Sequence, residues 1–126
     1  MPLETGTWTI NANGQLGQLN ISSVVPSGNL SGTIYVGGVT PVDPSTFQGF
    51  WDETSQKITF GLTDVLHNGF QVYTGFLFQD QIRITGVTGS VVFTLAGYVQ
   101  IFGAVGGLSS TARRSLFGWY AQIGVG

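Results

Sequence analysis

The chain has 126 residues, of which only 8% are charged, with six acids against four bases and a net charge of −2. An ordinary soluble domain carries roughly 25% charge, and this one has neither a basic stripe for nucleic acid nor a polybasic segment for anionic lipid. Cysteine is absent and His67 is the single histidine, which excludes disulfides, thiolate metal sites and cysteine nucleophiles. Hydrophobic residues make up 42%, enough to bury a core in one domain spanning 1–126. No apolar run approaches the roughly 20 residues of a membrane helix. The opening Met1-Pro2-Leu3-Glu4-Thr5 has no charged n-region and no long apolar stretch, so no secretory leader is expected there. The compartment stays open between cytoplasm and a secreted mature chain.

Alternation of apolar and polar residues, not helical spacing, recurs along the chain. It predicts strands at 7–10, 15–25, 30–36, 47–51, 57–63, 70–78, 91–101 and 116–123. Leu19 and Ile21 alternate with Asn20 and Ser22 in the second. Ile58, Phe60 and Leu62 alternate with Thr59 and Thr63 in the fifth. Asn13-Gly14 is the strongest short hairpin signal. Ser27-Gly28-Asn29, residues 52–56, His67-Asn68-Gly69 and residues 86–89 read as further short turns. Longer connections are expected at 37–46, which holds Pro41 and Pro44, and at 103–113. Hairpin-length links without a crossover helix predict a sequentially connected antiparallel sheet. Eight such strands close into an all-β up-and-down barrel, which leaves no exposed edge; a sandwich is the other option.

The last three strands are apolar on both faces. In 91–101, Phe93, Leu95 and Val99 stand opposite Val92, Ala96 and Tyr98. A barrel interior covers only one face, so a second subunit is expected to cover the other, giving a dimer or tetramer.

Side chains for catalysis are few. Asp52 and Glu53 lie in a predicted turn, Asp43 in a loop, and Asp64 could form a hydrogen-bonded pair with His67. There is no Gly-x-Ser-x-Gly elbow, no phosphate-binding glycine loop and no calcium loop, so no catalytic residue, metal or cofactor is expected. The aromatics are more informative. Trp8, Tyr35, Trp51, Tyr73, Tyr98, Trp119 and Tyr120 all fall on predicted strands. With neutral polar neighbours they suit a small neutral ligand, and equally a core or an interface.

Gly6-Thr7-Trp8 is similar to the Gly-x-Trp opening of lipocalins and avidins. Gly28-Asn29-Leu30-Ser31-Gly32-Thr33 resembles the second hairpin of avidins, and Val72-Tyr73-Thr74-Gly75-Phe76-Leu77-Phe78 one of their strands. Thr111-Ala112-Arg113-Arg114 resembles the avidin approach to the eighth strand. In this order the chain resembles the avidin and streptavidin family of calycin-type barrels. The resemblance implies a non-enzymatic barrel that binds a small molecule in its open end, with Trp8 plugging the closed end against Arg113 or Arg114. It implies ligand contacts from Asn11 and Tyr73, with Tyr35, Trp51 and Trp119 as further candidates.

Other positions depart from the pattern. Ile10 intrudes before Asn11, and Ile34 stands where avidins carry a Tyr, with Tyr35 one step on and on the other face. Ala96, Gly118 and Ser110 stand where avidins carry a Trp, an acid or amide, and a Trp donated by a neighbouring subunit. Biotin is therefore expected to bind weakly or to be replaced by a more apolar molecule. The alternatives are a lectin-like module, with Trp51 or Trp119 stacked on sugar, a ligand-free barrel filled by Phe and Leu, and an outer-membrane barrel. Most predicted strands are shorter than the ~9–11 residues that such a membrane span needs.

Overall fold

Asn13 and Gly14 take the left-handed backbone of a two-residue hairpin, with φ of 53° and 82°, and Ala12 pairs with Gln15 across them. This turn opens a meander of eight strands in a computed structural model of the chain. The model describes residues 2–37, 45–64, 69–81, 91–105 and 108–125, and side chains within 2–37, 45–62, 70–79, 92–101 and 117–124. The strands are β1 Gly6–Ala12, β2 Gln15–Val24, β3 Asn29–Val36, β4 Ser45–Asp52, β5 Lys57–Asp64, β6 Gly69–Gln81, β7 Val91–Val105 and β8 Leu108–Val125. Each pairs antiparallel with the next, and β8 returns to β1 through Thr9 opposite Gln122. The sheet is a closed barrel, so every strand has two hydrogen-bonded neighbours.

All eight expected strands are present. The long connection expected at 103–113 is a correction. β7 runs on to Val105 and β8 begins at Leu108, with Gly103 opposite Arg113 and Ala104 opposite Ala112. Glycine and alanine are weak strand formers, but a paired partner satisfies their backbone groups and carries the ladder through them.

Burial follows the two-residue period. Trp8, Ile10 and Ala12 of β1 face inward, as do Leu19, Ile21, Leu30, Ile34, Phe47, Trp51, Ile58, Phe60, Tyr73, Leu77, Phe93, Leu95, Val99, Trp119 and Ala121. An eight-stranded barrel is just wide enough for such a filling. Interior glycines make the room. Gly32 pairs with Phe47 and Gly49 with Phe60, and a β-carbon on either glycine would stand 2.7 Å or less from the opposing aromatic side chain.

The outer face differs around the barrel. On β6, β7 and β8 it exposes Phe76, Phe78, Tyr98 and Tyr120. Phe76, Ala96 and Tyr120 form one cross-strand row. Of the residues expected to cover a second subunit, Phe93 and Leu95 point into the core, whereas Val92 and Tyr98 share this outer face.

Candidate functional site

One end of the barrel is where the chain enters β1, and there Trp8 is fully buried with its Nε1 donating to the Glu4 carbonyl at 3.1 Å. Trp8 therefore faces inward at this end. Arg113 and Arg114 pair with Gly103 and Phe102, and their side chains lie outside the described residues. Eight residues separate Arg114 from Gln122, the β8 residue beside Thr9. That is about 27 Å along the strand at ~3.4 Å per residue. The early continuation of β8 carries both arginines toward the opposite end.

Trp51 also belongs to the Trp8 end. It is buried, and its Nε1 donates to Glu53 Oε2 at 2.6 Å. It lines a half-open cavity of about 450 Å³ with Pro2, Leu3, Thr5, Val24, Val25, Pro26, Ser27, Gly28, Phe50, Asp52 and Glu53. Asp52 accepts from the backbone N–H of Thr54 at 3.0 Å. The Ser55 hydroxyl and backbone hold its carboxyl below the usual range against an opposing desolvation, with smaller help from the Thr54 backbone and the charge of Lys57.

Tyr73 and Trp119 do come together, deeper in the barrel. The Phe60 and Tyr73 rings stack at 4.7 Å, with Trp119 edge-on to both at 5.8 and 5.6 Å, and Phe47 lies 4.6 Å from Phe60. Trp119 Nε1 donates to the Thr74 carbonyl at 3.1 Å and to the Tyr98 carbonyl at 3.0 Å. One row of paired residues explains this. Trp51, Ile58, Gly75, Gly97, Trp119 and Ala12 follow one another across β4, β5, β6, β7, β8 and β1. The two glycines clear a path on the wall for the indole.

Toward the opposite end the filling becomes mixed. Tyr73 Oη donates to Gln71 Oε1 at 3.0 Å. Val36, Leu62 and Phe117 are half-buried against the core at the same level. Gln71, Leu62, Phe117, Phe60 and Phe47 were not among the sequence candidates. Counting by two from Tyr73 would have reached Gln71, a polar side chain at an inward position.

Asn11 and Tyr35 do not join this group. Both alternate out of phase with buried neighbours, Asn11 between Ile10 and Ala12, and Tyr35 next to Ile34. They face outward, a correction to their expected ligand contacts. The intruding Ile10 takes the inward position two residues after Trp8 and turns Asn11 out. Asn11 Oδ1 instead accepts from the Gly14 N–H at 3.0 Å. The sugar-stacking role weighed for Trp51 and Trp119 also loses its platform, because both are at least 96% buried with their N–H groups engaged. The weighed Asp64–His67 pair lies outside the described residues. Among the described residues no cluster of three or more histidines and acids is placed to hold a metal.

No family model and no curated protein matches the chain. Two solved structures are similar to it. A low-affinity mutant of shwanavidin matches with a TM-score of 0.62 at 17% identity, covering 98% of both chains. Apo shwanavidin matches with a TM-score of 0.59 at 16% identity, covering 97% of this chain and 98% of that one. Strand number, meander order, closure and near-complete coverage agree, so this chain has the fold of a distant avidin-like barrel.

Proposed function

We propose that the chain is a non-enzymatic binding barrel that takes a small, mostly apolar molecule at its open end. The observation that carries this reading is the Tyr73–Gln71 hydrogen bond. It places a polar pair beside the stacked Phe60 and Tyr73 rings, under half-buried Leu62 and Phe117. Few polar anchors among apolar walls suit an apolar guest. They suit the ureido group of biotin poorly, because Asn11 and Tyr35 face outward and Ile34 fills the inward position on β3. Each missing hydrogen-bond partner removes about tenfold or more in affinity. A second copy of the chain covers the exposed Phe76, Tyr98 and Tyr120 face.

Titration calorimetry with biotin tests the site, with micromolar or weaker binding expected. Nanomolar binding overturns it. Native mass spectrometry of the purified protein reports any co-purified small molecule and the subunit count together. A bound mass lost in Gln71→Leu supports the open-end site. A bound mass retained in Gln71→Leu moves the ligand elsewhere.

A barrel filled by its own side chains is the second reading. It is favoured by ring separations of 4.6 to 5.8 Å, which are contact distances, and by an indole N–H shared between two backbone carbonyls. It predicts no bound mass and no shift of core resonances with any small molecule.

A further inference from the structure

The β1–β2 turn holds a reactive pair. An asparagine followed by glycine is prone to cyclise, because the glycine nitrogen is unhindered and can attack the asparagine carboxamide. At Asn13-Gly14 the turn is open on the side where a side chain would stand, since a β-carbon on Gly14 would meet no atom within 4 Å. Two hydrogen bonds hold the turn. The Asn13 N–H donates to the Gly118 carbonyl at 3.1 Å, and the Gly14 N–H, the would-be nucleophile, donates to Asn11 Oδ1 at 3.0 Å.

We propose that Asn13 is a site of spontaneous deamidation and that the outward-facing Asn11 carboxamide restrains it by holding the Gly14 N–H. The step needs only water. The Gly14 nitrogen loses its proton and bonds to Cγ of Asn13, ammonia leaves, and a succinimide ring forms. Water then opens the ring at either carbonyl to aspartate or isoaspartate. Both products add a negative charge at the end of the barrel opposite Trp8. Isoaspartate also lengthens the backbone between residues 13 and 14, which the Ala12–Gln15 pairing and the Asn13–Gly118 bond cannot both accommodate. The turn would then detach from β8 at the rim.

The attack requires the turn to open, so one lost hydrogen bond raises the reactive population by roughly two- to tenfold. Intact folded protein is incubated at mildly alkaline pH and followed by peptide mapping. This separates Asn13-Gly14 from the chain's other Asn-Gly pair, Asn68-Gly69. Asn11→Ala is expected to speed mass gain at Asn13 by that factor. Asn11→Asp keeps an acceptor and is expected to react no faster than the parent. All three chains are expected to react equally in denaturant, which removes the folded turn. Equal folded-state rates for Asn11→Ala and the parent overturn the proposal, as does acceleration by Asn11→Asp.

Discussion

The indole of Trp119 rests on the backbone of Gly75, so closely that a β-carbon at Gly75 would stand 2.7 Å from Cζ2 of Trp119 and 3.0 Å from the Ala96 carbonyl oxygen. Neither neighbour can yield freely, because the ring is pinned through its nitrogen and the carbonyl belongs to β7. Gly75→Ala is therefore expected to destabilise the barrel by about 1–3 kcal/mol, the usual cost of overpacking. Urea unfolding measures it. An unchanged midpoint would mean that the indole is free to move.

Trp119→Phe tests the nitrogen separately from the ring. The phenyl keeps most of the apolar contact and loses the donor shared by the Thr74 and Tyr98 carbonyls. A loss of about 1–3 kcal/mol is expected in the same assay. A neutral substitution would show that the two carbonyls are satisfied without the indole.

Trp8 is 0% exposed at the end where the chain enters β1. Trp8→Ala is expected to cost about 3–5 kcal/mol, as for other large-to-small core changes. A small shift in the chemical denaturation midpoint would mean that the plug is dispensable.

The outer row Phe76–Ala96–Tyr120, with Tyr98 beside it, leads us to expect at least a dimer by light scattering at micromolar concentration. Phe76→Lys combined with Tyr120→Lys should yield a 13.4-kDa species with unchanged far-ultraviolet circular dichroism. A parent protein that is already monomeric removes the argument for a covering subunit.

Asp52 carries a pH prediction. Its carboxyl is held below its ordinary value of 3.8, first by the Ser55 hydroxyl. A depressed folded-state pKa adds stability above the unfolded value and loses it as pH falls through the folded one. The contribution should therefore be constant above the ordinary carboxylate range and fade only below pH 3.8. Thermal melts of the parent and Asp52→Asn should converge as acid is added through that window. A gap that persists at the lowest pH would assign the effect to turn geometry and not to charge. High salt should narrow the gap, since the group is at the surface.

Local signals determined the strands. Leu19, Ile21, Ile58, Phe60 and Leu62 alternate with polar residues, Asn13-Gly14 forces a tight turn, and no link is long enough for a crossover. These properties lie within a few residues of one another, so the meander and its closure were legible in the sequence.

Which residues meet was decided by tertiary structure, because register is a property of pairs of strands. Ile10 takes the inward position two residues after Trp8, which leaves Asn11 outside and bonded to the β1–β2 turn. The site of Trp51 depended on which end β4 finishes at, and that of Arg113 and Arg114 on how far β8 pairs with β7. The seat of Trp119 needed Gly75 and Gly97 to fall in the same cross-strand row. Gly97 and Gly75 are 22 and 44 residues away from Trp119 along the chain, since β7 and β6 precede β8 and only pairing brings them beside it. Sequence alternation sets which residues share a face, and only the closed sheet sets which of those faces meet across it.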